Sequence, residues 1–203
     1  IMMEHVHIST KISKLGTGIP ALNLPAGITC RTDAPCKKKC YACKGHFIFK
    51  NVKESCMRNF RIWQNDPIRF EKEVIGIAQF MQYFRWHSSG DIVNAKYLQM
   101  MVRVAKECTA TKFLAFTKQY EIVNAYLNAG NLLPENLSIV YSAWGDFIPE
   151  NPHNLPMAYV RFKKGECMIP EYAMECTGYC GECVSGKSCW NMNKGEAVVF
   201  NEH

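Results

Sequence analysis

The sequence predicts an α/β fold: a mostly parallel sheet of about five or six strands, either doubly wound or curled into a partial barrel. Three observations carry this. Apolar runs of strand length alternate with stretches of helical period along the 203 residues, and strands separated by helices of about 10–20 residues need crossover connections. Polar and ionisable residues collect where those strands end, which is where parallel α/β folds put their chemistry. The 11 cysteines fall mainly into two tight groups, one near each end of the chain.

Residues 19–24 (Ile-Pro-Ala-Leu-Asn-Leu) are the first expected strand, running into the first cysteine group. Val52, Cys56, Phe60 and Trp63 recur at helical spacing and predict a helix over 51–64. Asp66-Pro67 supplies a cap and a first-turn proline for a second helix with a core face of Val74, Ile75, Ala78 and Met81. Phe84-Arg85-Trp86-His87 is a short strand ending in Ser88-Ser89-Gly90-Asp91. Tyr97, Leu98, Met101, Val102, Ala105 and Cys108 mark the clearest amphipathic helix. Residues 113–117 form a buried strand, followed by a helix over 119–129 that Gly130 stops. Further strands are expected at 137–143, 157–162 and 197–200.

Composition bounds the class. Hydrophobic residues at 48% and charged residues at 21% are globular usage. No apolar run approaches the ~20 residues of a membrane span, and Ile1-Met2-Met3-Glu4-His5 has no basic-then-apolar signal pattern. The chain is therefore expected to be soluble and cytoplasmic, without a membrane partner. Charge is uneven: residues 1–64 hold 11 Lys and Arg against 3 Asp and Glu, although the whole chain carries only +6. The excess surrounds the first cysteine group (Arg31, Lys37, Lys38, Lys39, Lys44). It either attracts an anionic partner or stabilises thiolates and a negatively charged cluster.

In a reducing compartment, two groups of four cysteines indicate metal or iron–sulfur sites rather than disulfides. Cys36-Lys-Lys-Lys-Cys40-Tyr-Ala-Cys43 is C-x3-C-x2-C, a loop that can point three thiolates at three corners of a cubane and leave the fourth iron open. Cys30 either closes that cluster as a fourth ligand or is a spare packed thiol. Cys176-x3-Cys180-x2-Cys183-x5-Cys189 repeats the spacing, and Gly178, Gly181 and Gly186 supply sharp turns. It can close a second 4Fe–4S cluster, and a structural zinc ion is the rival. Cys56 and Cys108 sit on apolar helix faces as core, and Cys167 suits either role. His87 is either a satisfied histidine or a substrate contact or proton donor. Lys118 either binds a carboxylate or phosphate or is a solvated rim lysine. Trp144 either stacks on a planar ligand or packs as core. No Gly-x-Ser-x-Gly turn, Walker loop or His-Glu-x-x-His helix points to a hydrolase.

At its three-cysteine loop the sequence resembles the radical S-adenosylmethionine enzymes. From Gly-Ile-Thr-Cys30 through Cys40-Tyr41-Ala42-Cys43-Lys44-Gly45, Phe84-Arg85-Trp86-His87-Ser88-Ser89-Gly90-Asp91 and Phe113-Leu-Ala-Phe116-Thr117-Lys118, it also resembles a phage and gut-bacterial family called gene product eighty-eight, over about residues 20–145. The resemblance implies a partial β/α barrel over 1–165, with its cluster loop at 30–43, and a cysteine-rich auxiliary module over 166–203. It implies a 4Fe–4S cluster on Cys36, Cys40 and Cys43, with S-adenosylmethionine chelating the fourth iron and cleaved to a 5′-deoxyadenosyl radical. Ser89, Gly90 and Asp91 match the turn that binds the cofactor's amine, here with one glycine and an Asp in place of Glu. Thr117 and Ser142, at later strand ends, complete the cofactor rim, and His87 and Lys118 are the catalytic candidates. The implied partners are an electron donor such as a flavodoxin or ferredoxin and, because the rim is open, a large anionic or peptide substrate.

Overall fold

One sheet organises the chain in the computed structural model, which describes residues 3–12, 15–16, 18–164, 168–183 and 189–202. Cys167 and Gly186, singled out above, lie outside the described residues. In chain order the elements are β1 (Ile8–Ser9), β2 (Ala21–Leu22), α1 (Lys50–Asn65), α2 (Pro67–Ala78), β3 (Tyr83–Trp86), α3 (Ala95–Glu107), β4 (Lys112–Thr117), α4 (Tyr120–Asn128), β5 (Leu137–Ser142), β6 (Met157–Arg161), β7 (Met174–Glu175), the single turn α5 (Cys180–Cys183) and β8 (Ala197–Asn201). Single 3-10 turns occupy 37–39, 41–43, 45–48 and 189–191.

The sheet order is β1-β2-β3-β4-β5-β6-β8-β7. Every pairing is parallel except that of β1 with β2. The expected mixed α/β, mostly parallel architecture is therefore present. Among the described residues the sheet is open and has eight strands, where five or six were expected. The added β1 and β7 are two residues each, too short to leave a period in sequence. Since β8 lies between β6 and β7, residues after 166 supply two strands to the same sheet.

Successive side chains on a strand point to opposite faces, and here the two faces are covered differently. Phe84, Trp86, Phe113, Ala115, Ile139, Tyr141 and Val199 point to one face and pack against α1 to α4 through Trp63, Phe70, Val74, Leu98, Met101 and Val123. Each fully buried side chain of this size contributes roughly 1.5–3 kcal/mol. Tyr83, Leu114, Val140, Ala158 and Val198 point to the other face, which carries no residue of those four helices. Leu15, Ile19, Trp190 and Met192 cover it instead, with Cys176, Cys180 and Cys189 packed alongside.

Local chemistry fixes the helix ends. The Asp66 carboxylate accepts from the Arg69 amide (3.0 Å) ahead of Pro67, and the Asn94 side chain accepts from the Tyr97 amide (3.0 Å), caps worth about 1 kcal/mol each. Gly130, at φ +86°, ends α4 as expected. In α2 the buried positions are Phe70, Val74 and Ala78, while Met81 lies beyond the helix end and Ile75 is only half-buried. Cys56 and Cys108 are buried, in keeping with a core role.

Candidate functional site

A cavity of about 320 Å³ opens on the helix-free face, at the carboxyl ends of the parallel strands. Cys30, Cys36 and Cys40 line it from the first loop, and Cys176, Cys180, Cys183 and Cys189 from the second. Two groups more than 130 residues apart in sequence thus face one space. Cys43 is exposed. The ten described cysteines form no disulfide with one another.

Hydrogen bonds hold each loop in place. The Tyr41 hydroxyl donates to the Ser88 carbonyl (2.6 Å), and the Lys39 ammonium meets Glu202 at 3.1 Å, tying the first loop to the ends of β3 and β8. The second loop is seated on the sheet. The Cys176 amide donates to the Val199 carbonyl (2.9 Å), the Ser138 hydroxyl donates to the Cys189 carbonyl (3.1 Å), and the Trp190 indole stands edge-on to Tyr83 at 5.6 Å.

The sulfur atoms influence one another. Cys36 and Cys40 share a hydrogen bond that holds Cys36 below the usual thiol range, helped by the Lys118 charge, and pushes Cys40 up. Burial pushes Cys189 up to about 12, with Cys176, Cys180 and Cys183 adding to the rise. The Gly178 amide donates to Cys176 Sγ at 3.3 Å, and the Thr177 hydroxyl lies 3.2 Å from Cys183 Sγ. Among the described residues no three His, Cys, Asp or Glu side chains close to the span of a single metal ion.

The strand-end motif is largely consumed by the scaffold. Ser88 and Ser89 amides donate to Asn23 Oδ1 (2.8 and 3.2 Å), and the Ser89 hydroxyl donates to the Leu24 carbonyl (2.9 Å). Gly90 sits at φ +81°, and a Cβ there would lie 2.6 Å from Thr29 Oγ1 and 2.8 Å from the Leu24 carbonyl oxygen. The buried Asp91 carboxylate accepts from the Ile92 amide (2.7 Å), the Thr117 hydroxyl (2.6 Å) and the Lys118 amide (2.8 Å). Three of its roughly four lone-pair sites are filled, so Asp91 and Thr117 join the ends of β3 and β4. Lys118 and Ser142 do come together: the Lys118 ammonium donates to Ser142 Oγ (2.9 Å) and lies 5.5 Å from the Trp144 ring centre. Lys118, Ser142 and Trp144 all line the cavity.

His87 falls just after β3 rather than within it, at φ +57°. Its Nε2 lies 2.9 Å from the Tyr97 hydroxyl, and its buried Nδ1 has no hydrogen-bond partner among the described residues. Burial, with Arg85 nearby, lowers its pKa to about 3. The ring is therefore neutral at pH 7. Because the unfolded chain binds a proton there below about 6.5 and the native state does not, stability should fall as the pH drops from about 6.5 towards 3, by up to about 1.4 kcal/mol per unit. His87→Gln should lessen that slope in urea midpoints taken between pH 7 and about 5, and equal slopes would remove the assignment.

Three structural residues escaped the sequence reading. Asn23 holds the Ser88-Ser89 turn. Asn59 on α1 donates to the carbonyls of His7 (2.8 Å) and Asn23 (2.9 Å). Arg85 is a buried guanidinium on the cavity side of β3. The available signal was a polar residue inside an apolar run, as in Leu22-Asn23-Leu24 and Phe84-Arg85-Trp86.

The family model described as Gene product 88 matches residues 5–190. The chain is 25% identical over 223 residues to the Gene 88 protein of Mycobacterium phage L5, with 91% of this chain and 90% of that protein covered. Its likeness to the Gene 88 protein of Mycobacterium phage D29 is also 25%, over 224 residues with the same coverage. No solved structure matches. No helix of the described residues is long and apolar enough to cross a membrane.

Proposed function

The chain belongs to the gene product 88 family, and we propose that it is an iron–sulfur protein built like a minimal radical S-adenosylmethionine enzyme. The observation that carries this reading is the convergence of both cysteine groups on one cavity at the strand ends. Helices on a single face of a parallel sheet also suit a partial β/α barrel whose other face holds cofactors. The donor set suits clusters: thiolates are soft ligands, and the bonds to Cys176 and Cys183 supply the hydrogen-bonded sulfur that such sites use.

Cys36, Cys40 and Cys43 would hold the first cluster, and Cys176, Cys180, Cys183 and Cys189 the second. Cys43, now exposed, turns inward in this reading, and Cys30 remains as the neighbouring thiol. A cluster held by Cys36, Cys40 and Cys43 would supply the single electron that reductive cleavage of S-adenosylmethionine requires. Lys118, held by Ser142 and Trp144, offers a cation for the methionyl carboxylate or an acidic substrate group. Asp91 and Thr117 fix the backbone beneath it.

Anaerobically prepared protein should contain about eight irons and eight sulfides per chain, as two 4Fe–4S clusters require. With dithionite as reductant and S-adenosylmethionine added, it should release 5′-deoxyadenosine. Zinc without iron or sulfide would end the iron–sulfur reading. Full loading with no 5′-deoxyadenosine would end the radical part and leave closed clusters that carry electrons.

A further inference from the structure

Arg85 has no carboxylate partner among the described residues, although it is 91% buried. Its Nε donates to the carbonyl of the adjacent Trp86 (3.1 Å), and its guanidinium carbon lies 4.4 Å from the centre of the Phe116 ring. These contacts aim the charged group without neutralising it. Cys176, Cys180, Cys183 and Cys189 line the same cavity as Arg85, and Cys180 and Cys189 lie within electrostatic range of it. A buried charge is costly unless it is paired, and nothing in the core requires an arginine at this position: the neighbouring strands place Leu114 and Ala21 on the same face.

We infer that Arg85 is the fixed countercharge for an anionic thiolate assembly on the second cysteine group, and that it sets that group's reduction potential. The inference rests on the proposed function. A 4Fe–4S cluster on four thiolates carries net negative charge, which grows by one when an electron is added. A guanidinium beside it favours the more negative, reduced form and so raises the potential. Arginine suits the task because it keeps its charge when buried, and Phe116 holds the planar group across its face. Arg85 is thus a positioning and tuning residue rather than a catalytic one.

The test is a redox titration followed by electron paramagnetic resonance. It uses the full chain carrying Cys36→Ala, Cys40→Ala and Cys43→Ala, so that only the second cluster is observed. Arg85→Met and Arg85→Gln should shift the midpoint to lower potential, and Arg85→Lys should restore most of the difference. Neutral variants that lose the cluster while Arg85→Lys keeps it would also support the countercharge. Neutral variants that load fully at an unchanged midpoint would overturn it. So would loss of the cluster in Arg85→Lys together with loss of native circular dichroism, since packing alone would then explain the residue. Absence of iron from the unsubstituted protein would instead refute the proposed function itself.

Discussion

Alanine at Cys36, Cys40 and Cys43 together is expected to cut bound iron and sulfide from about eight of each per chain to about four, with the fold retained. The same loss should follow from Cys176→Ala, Cys180→Ala and Cys189→Ala. Metal analysis and the visible absorption band report both. Only the first set should abolish release of 5′-deoxyadenosine directly. Cys30→Ala then separates two designs. An intact first cluster whose spectrum changes on adding S-adenosylmethionine is the open form; loss of the cluster makes Cys30 a fourth ligand. If either triple variant loses all its iron, the two loops share one assembly, and the picture of two independent clusters fails. Because seven cysteines line a single cavity, that outcome has a definite structural meaning.

The second large effect concerns the scaffold. Gly90→Ala should destabilise the protein by about 2–5 kcal/mol. Of this, about 1–2 kcal/mol comes from forcing a side chain into the left-handed region, and about 1–3 kcal/mol from overpacking. The added Cβ meets Thr29, Leu24 Cβ and the Leu24 carbonyl, two of which are not free to swing away. Gly130→Ala is the control: its φ is +86°, but nothing lies within 4 Å of the new atom, so only the conformational part should appear. Urea denaturation compares the two. Equal midpoints would mean that the close approach at Gly90 relaxes freely.

Much of the sheet could be read in sequence because its strands carry their own signal. Phe113-Leu114-Ala115 and Ile139-Val140-Tyr141 are buried on both faces, and such strands read as apolar runs. The Asp66-Pro67 cap is equally local. The two-residue β1 and β7 were not visible, since their pairing depends on partners rather than on their own residues. The cysteine spacings identified both loops. They did not reveal that the loops share a cavity, because that depends on where β8 inserts in the sheet. The Ser-Ser-Gly-Asp turn, expected to bind a ligand, lines the cavity, and its Ser89 and Asp91 side chains also bond to neighbouring strands. Sequence alone cannot distinguish a polar group kept for a ligand from one kept for a neighbouring strand.

The cover of the helix-free face has a consequence for biogenesis. Leu15 and Ile19 are made well before Trp190, Met192 and Val198, which they meet on that face, and the Lys39–Glu202 pair joins positions 163 apart. Until that later segment has emerged, Leu114, Val140 and Ala158 on that surface remain wet, and β6 waits for β8. The nascent chain is thus a half-finished sheet with a greasy side, of the kind that long-range pairing makes slow and prone to clumping. Removal of residues 190–202 should therefore harm solubility before it harms anything else.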